Sequence, residues 1–469
     1  MPRGLDAAAF AAVGLSVALT IVIGLLGPSA MVPALPGPSW QPPYSLDLRP
    51  DGHLVIAMAA AALLLGGLGL AAALRSRWRP DPRWLLAAGC AAAALLAFLP
   101  PSGSADHLNY AAYGRLVTLG HDPYAVTPAA LPGDPVTGAV EEWAGVTSVY
   151  GPVATAVQAL ASFAGGDSVR LTVFVMAAFN ATAFVVTALL LHRFTRGEAD
   201  LQRRAALLWA ANPLMIYHLA AGMHVDTLAV ACMIAALMAR GAGSGLLLGV
   251  GIGVKLNAGL VALGPAWELR RSPGRLAVVA GTATATVLVV YGVAGSHVFD
   301  QVSAASRKVS LGTPWQLVKV GLQTMFGPGA YTAWIQIGSL LLLAALAWMI
   351  LRAAPRHTAA AVAAVMVVAW LFAAPYALPW YDGLAFALLA MASWPALESF
   401  MVARVAILSL GYLPAREALR PEDLLWLKTV VRERAVPWSL LALTLALAWW
   451  AATAGARARR RPASAAPRR

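Results

Sequence analysis

The residues best suited to chemistry lie in the stretch DHLNYAAYGRLVTLGHDPY, Asp106 to Tyr124, a polar and aromatic insert between long apolar runs. If SGSAD opens a helix with Ser104 as its cap, Asp106 falls in the first turn. There the helix dipole favours an ionised carboxylate, which is ready to accept a proton. Helical spacing puts Asp106, Tyr110, Tyr113 and Val117 on one face, and Gly120 and Pro123 supply the stop. A general base is one reading of that face. An interfacial helix with aromatic anchors and a solvated acid is the other, and the pattern alone leaves both open. Arg115, Asp122 and Tyr124 are the further candidate substrate contacts in this stretch, with Asp122 also suited to shaping the Gly-x-Asp-Pro-Tyr turn.

Three more places carry unusual residues. The turn GMHVD holds His224 and Asp226, which point about 200° apart on a regular helix and share a ligand only if the turn is irregular. They read equally well as a substrate contact or as a cap and a satisfied histidine. Lys255 lies in an apolar run, where an unpaired lysine costs several kcal/mol (roughly) unless it reaches water. It reads as a contact to an anionic phosphate or as a snorkelling side chain. Gly245, Gly249 and Gly253, ahead of it, recur every four residues as a close-packing face rather than a phosphate loop. Further on, Arg307, Lys308 and Lys319 surround SLGTPW and suit an anionic headgroup. Trp315, Trp380 and Tyr381 suit either sugar stacking or an interfacial belt. No cluster of oxygen ligands accompanies these groups, so neither a metal nor a cofactor is expected.

The elements that must hold these residues follow from composition. Of 469 residues, 60% are apolar and 12% charged, with a mean hydropathy of +0.70. A water-soluble domain with that composition would expose large apolar areas, so the chain reads as an all-α polytopic membrane protein with roughly a dozen spans. The net charge of +13 sits in short loops and the tail, a membrane-orienting pattern that argues against a nucleic-acid partner. Cys90 and Cys232 fall inside apolar runs and offer no disulfide framework. The first run, Ala7 to Leu26, reads as a retained signal-anchor. Arg75, Arg77, Arg79 and Arg83, then Arg193, Arg196, Arg203 and Arg204, mark cytoplasmic loops. The loop at 101–149, with Arg115 against Asp106, Asp122, Asp134, Glu141 and Glu142, is expected outside. Val169 to His192 then spans, leaving 150–163 as an interfacial helix. Further spans are expected near Ala205 to Ala220 and Val225 to Ala239. Between Arg240 and Glu268 the same-side start and finish require a hairpin or re-entrant segment with Lys255 near its turn. Residues 297–329 are expected as an external loop, Pro375 to Gly383 outside, and later spans near 384–397, 400–413 and 436–454.

An acid followed by Tyr-Ala-Ala-Tyr-Gly and Gly-x-Asp-Pro-Tyr, then a Tyr-Gly-Pro helix, resembles the GT-C glycosyltransferases that use polyprenyl-phosphate sugars. Within that class the chain is most similar to actinobacterial α-1,6-mannopyranosyltransferases that build lipomannan cores. The His-x-x-Asp-like turn, the glycine-rich helix ending in a lysine and the late Pro-Trp-Tyr segment extend the resemblance in order over most of the chain. It implies a GT-C fold of about 12–14 transmembrane helices with outer-face loop helices, a polyprenyl-phosphate-sugar donor, and an inverting transfer to a glycolipid or lipoglycan acceptor. Asp106 would be the base. One departure stands out: the turn reads HVD where His-Asn-Asp is expected. The expected organisation is a single transmembrane domain over 1–456 and a basic cytoplasmic tail at 457–469, in the cell membrane with an extracytoplasmic site. An arabinosyl or other pentosyl transferase of the same class, and a lipid-linked saccharide flippase or transporter, are the competing functions.

Overall fold

The computed structural model describes residues 2–460. The arginines of the expected tail from 461 onward lie outside the described residues. The described chain is helical with no strands, and six helices are long and apolar enough to cross a bilayer: Gly4–Leu26, Gly52–Ala73, Val169–Phe194, Pro273–Ala294, Thr332–Ala353 and Glu422–Ala456. At ~1.5 Å per residue, a helix of about 22 residues matches a hydrocarbon core of about 30 Å. Leu288, Val289, Val293, Leu340 and Leu341 on these helices face outward, the placement lipid requires. This is a polytopic membrane protein of the expected class.

Loop contacts sort the connections into two ends. At one, Asp6 accepts from the Arg77 amide, Asp200 pairs with Arg79 and Arg203, Arg75 reaches Ser399, Arg204 pairs with Glu398, and Glu268 accepts from the Ala359 amide. At the other, Gly103 donates to Met31, Ser102 to Ala221, and Ser310 to Pro375. Arg416 there binds Glu141 and the Ser29 carbonyl, and His53 meets Asp423. The Pro2–Leu26 and Gly52–Ala73 helices run between these sets, so the ends are roughly 30 Å or more apart. The arginine-rich loops thus share one end and the acid-rich loops the other.

Between the long helices stand shorter ones whose breaks fall at polar residues. The expected span near Ala205 to Ala220 is interrupted: the Ala199–Leu208 helix stops, and the chain re-enters at Pro213–Met215 and a wide turn, Ile216–Ala221. The cause is local, since Pro213 has no amide to continue the ladder and Asn212 instead caps the amides of Leu214 and Met215 at 3.1 and 3.2 Å. The expected run at 384–397 likewise breaks at Ser393 into Gly383–Ala392 and Pro395–Tyr412. The loop expected at 297–329 holds two helices, His297–Ser306 and Pro314–Phe326. Trp315 there donates to the Ala373 carbonyl at 2.7 Å, a packing contact rather than an open stacking face.

The glycine face packs as its spacing requires. A Cβ at Gly245 would strike Val279 and Thr282, at Gly249 Thr286, and at Gly253 Val153 and Val290. Rising numbers on the Gly241–Val254 helix meet rising numbers on Pro273–Ala294, so the two helices run parallel. The intervening segment, Leu256–Ala262 and Leu263–Leu269, must therefore carry the chain back. Lys255 sits at the reversal in extended conformation (φ −153°, ψ 120°).

Candidate active site

The Asp106–Thr118 helix lies at the acid-rich end. Its cap differs from expectation: Ala105 is the cap residue, and the Ser104 hydroxyl accepts from the Asp106 amide at 3.1 Å. Its burial also differs. Instead of an exposed amphipathic loop helix, His107 through Gly114 are all buried. Gly114 makes this possible, because a Cβ there would lie 2.1 Å from the Gln158 carbonyl, so the helix rests directly on the Pro152–Gly165 backbone. The Leu119–Gly120 stop holds, with Gly120 at φ +81°.

On this platform Asp106 keeps 19% of its side chain exposed, with His224 Nδ1 3.7 Å from its Oδ2. That distance is beyond a hydrogen bond. Burial first, with His218, the Lys255 charge and His107 close by, holds His224 well below its ordinary pKa and therefore neutral, so the contact is not an ion pair. Burial first, then the carboxylates of Glu142 and Asp226, push Asp106 up to about 7, against the opposing pull of Lys255 and the Ser104 hydroxyl. A carboxyl that titrates near neutral pH and still meets solvent can accept a proton.

The other candidates divide into two groups. His224, on an irregular turn, lies 3.3 Å from Tyr110 Oη and stacks on Trp380 at 3.6 Å between ring centroids and 11° between planes. Tyr150 donates to Tyr110 at 3.4 Å, and Tyr113 donates to the Val146 carbonyl at 3.0 Å. Lys255 is neither snorkelling nor free: its Nζ lies 2.6 Å from Asp226 Oδ1 and 3.7 Å from the centre of the Tyr381 ring. Tyr113 packs against Tyr150 at 6.4 Å between ring centroids and Trp380 lies edge-on to Tyr381 at 6.2 Å, so Asp106, Tyr110, Tyr113, His224, Asp226, Lys255, Trp380 and Tyr381 form one connected group. Trp380 is buried under His224, so that face is not open for a sugar.

Arg115, Asp122, Tyr124 and Lys308 engage partners outside that group. Arg115 binds Asp134 and Asp167 at 2.7 and 2.5 Å. Asp122 receives the Tyr124 amide at 2.9 Å and faces His297 Nδ1 at 2.8 Å. The Tyr124 hydroxyl meets Thr155 at 2.8 Å. Lys308 lies 5.4 Å from the Trp143 ring, in no ion pair among the described residues. Among those residues no three His, Cys, Asp or Glu side chains gather as a metal site.

Several contributors lie outside the residues whose types and spacing single them out. Glu142, counted only as loop charge, is held by Asn109 donating to its carbonyl at 3.0 Å and by the Glu417 amide donating to its carboxylate at 3.0 Å. Asp382, beside Trp380 and Tyr381, is fully buried against Arg404, which also donates to the Leu371 carbonyl at 2.7 Å. The signal was present for Asp382, an acid in an apolar neighbourhood adjoining an aromatic pair. None marked Glu142.

The family described as alpha-(1->6)-mannopyranosyltransferase, N-terminal domain, matches residues 11–270. That span includes Asp106, His224, Asp226 and Lys255 but not Trp380 or Tyr381. Among curated relatives, alpha-(1->6)-mannopyranosyltransferase A of Corynebacterium glutamicum is 27% identical over 169 residues, 35% of this chain and 34% of that protein. The Mycobacterium tuberculosis protein of the same name is 28% identical over 317 residues, 60% of each chain. The matched part therefore spans between about a third and three-fifths of those relatives. No solved structure matches.

Proposed function

The chain belongs to the alpha-(1->6)-mannopyranosyltransferase family, and on that premise we propose that it moves a mannosyl residue from polyprenyl-phosphate-mannose to a glycolipid or lipoglycan acceptor. The transfer inverts the anomeric centre, is probed best as α-1,6 linkage, and takes place at the extracytoplasmic face of the cell membrane. A polyprenyl donor keeps its tail in the bilayer and its phosphate at headgroup level, so the base must stand at a membrane-adjacent end. The observation that carries this reading is Asp106, a part-exposed carboxyl pushed up to about 7 at the acid-rich end of the helices.

In the reaction the acceptor oxygen attacks the anomeric carbon while its proton passes to the Asp106 carboxylate. The bond from that carbon to the phosphate oxygen breaks, and polyprenyl phosphate departs with the electron pair. General-base help of this kind contributes roughly 10²–10⁴-fold. Neutral His224 and Tyr110 hold the carboxylate's flank without neutralising it. Lys308, with Arg307 beside it, supplies exposed positive charge for the departing phosphate. The domain is single over 1–456, with 101–149 the catalytic loop and 150–163 its interfacial wall.

The test is transfer by the purified full chain with radiolabelled polyprenyl-phosphate-mannose and a short mannosyl glycolipid. Label should appear in the acceptor, in a linkage cleaved by an α-1,6-specific mannosidase. Label that remains on the donor, or transfer only from a nucleotide sugar, would overturn the proposal.

A further inference from the structure

The Lys255–Asp226 pair has the chemistry of a hydroxyl-binding device rather than a phosphate clamp. Lys255 donates to Asp226 Oδ1 at 2.6 Å and lies over Tyr381, which occupies two of the three ammonium N–H groups. Asp226 is only 6% exposed, and its Oδ2 is buried with no partner. A buried carboxylate oxygen left unpaired is costly, so Asp226 Oδ2 is suited to accept from a ligand hydroxyl. Both residues line one narrow cavity, together with Asn257, with room for little more than a water-sized group such as a single hydroxyl, and its remaining wall is apolar and aromatic, including Trp370 and Tyr381.

Charge separates the two ligand classes. A lysine already matched by an aspartate at 2.6 Å presents almost no net charge, and a phosphate dianion placed there would meet the Asp226 carboxylate. A polyol meets no such penalty. One hydroxyl donates to Asp226 Oδ2, and the neighbouring oxygen accepts the remaining Lys255 N–H. We propose that Lys255 and Asp226 together read two adjacent hydroxyls of a sugar. Naming that sugar as a substrate rests on the transfer reading above. The sugar is either the one being transferred or the terminal residue of the acceptor.

The double variant Asp226→Asn/Lys255→Met keeps the site neutral and so guards against an unpaired buried charge. Assayed with full-chain protein, it should raise KM for one substrate by roughly 10- to 100-fold, the loss expected for charged hydrogen bonds. A rise for the donor assigns the transferred sugar, and a rise for the glycolipid assigns the acceptor. Inhibition by sugar-free decaprenyl phosphate should stay within about twofold of wild type. Weakened inhibition by decaprenyl phosphate, or unchanged KM for both substrates, would overturn the inference. A direct binding arm separates it from the transfer reading. Octyl α-mannoside should quench tryptophan fluorescence in wild type and not in a thermally stable double variant, whether or not turnover occurs. Equal quenching in both proteins would also overturn it.

Discussion

At the scale of single residues, the account turns on the ionisation of Asp106. Its folded pKa is about 7 against an ordinary 3.8, and the base must be deprotonated to act. Hence kcat/KM should rise with pH through about 7 and level off above it, measured with saturating acceptor. A flat profile from pH 5 to 9 would contradict this. Stability should run the opposite way. A raised carboxyl pKa means the folded state binds the proton more tightly, so this residue's contribution is full below about 4 and is lost as pH rises through about 7. Asp106→Asn should therefore be at least as heat-stable as wild type at pH 8, read as residual monodispersity after heating. Glu142→Gln removes a neighbouring negative charge and should move the activity midpoint to lower pH. An unmoved midpoint would mean that burial alone sets it. These residues differ in how far the sequence revealed them. Asp106 and Lys255 stood out because their types conflict with apolar surroundings. Tyr110, His224 and Asp226 stood out as well, but not which partner each meets, because Asp226 is 29 residues from Lys255 and the Tyr110 contact to His224 crosses 114, and such pairings are fixed by packing rather than by local pattern.

At the scale of elements, the site is made by helices that stop short. His224 precedes the Asp226–Met238 helix, Lys255 ends Gly241–Val254, and Trp380 and Tyr381 sit between Ala359–Ala373 and Gly383–Ala392. Irregular backbone at membrane depth survives where protein covers it or where it lines a cavity; His224 and Trp380 at two of these breaks are buried, while Leu256, just after Lys255, stays half-exposed. Hydropathy displayed the long spans well, and it gave the Val169 helix to within a few residues. It merged the broken ones, because a run of apolar residues has the same hydropathy whether or not a proline or an asparagine cap divides it. Close backbone contact fixes the platform. Gly114→Ala would push a methyl to 2.1 Å from the Gln158 carbonyl, so the helix carrying Asp106 must shift. Loss of most transfer activity, with a destabilisation of about 1–3 kcal/mol, is expected from overpacking, and normal activity would show that the helix need not be seated there. Arg404→Ala leaves the Asp382 carboxylate buried and unpaired at a cost of about 3–5 kcal/mol. Its thermal midpoint should fall more than that of any surface arginine variant, such as Arg196→Ala.

At the scale of the whole molecule, arginine-rich loops share one end and acid-rich loops the other, which is the alternation that loop charge suggested. The proposed use of a polyprenyl-phosphate donor requires the acid-rich end to lie outside the cell. Ala130→Cys, exposed at that end, should react with an impermeant maleimide on intact cells, and Arg196→Cys at the other end only after permeabilisation. The reverse pattern would put the site on the cytoplasmic face and remove the argument for a polyprenyl donor. The most direct measurement compares wild type with Asp106→Asn, both purified and monodisperse, in transfer from labelled polyprenyl-phosphate-mannose at pH 8, with Asp122→Asn as a control for loop damage. Asp106→Asn should lose about 10²–10⁴-fold in rate and Asp122→Asn much less. Near-normal turnover in Asp106→Asn would contradict the assignment of Asp106 as the base.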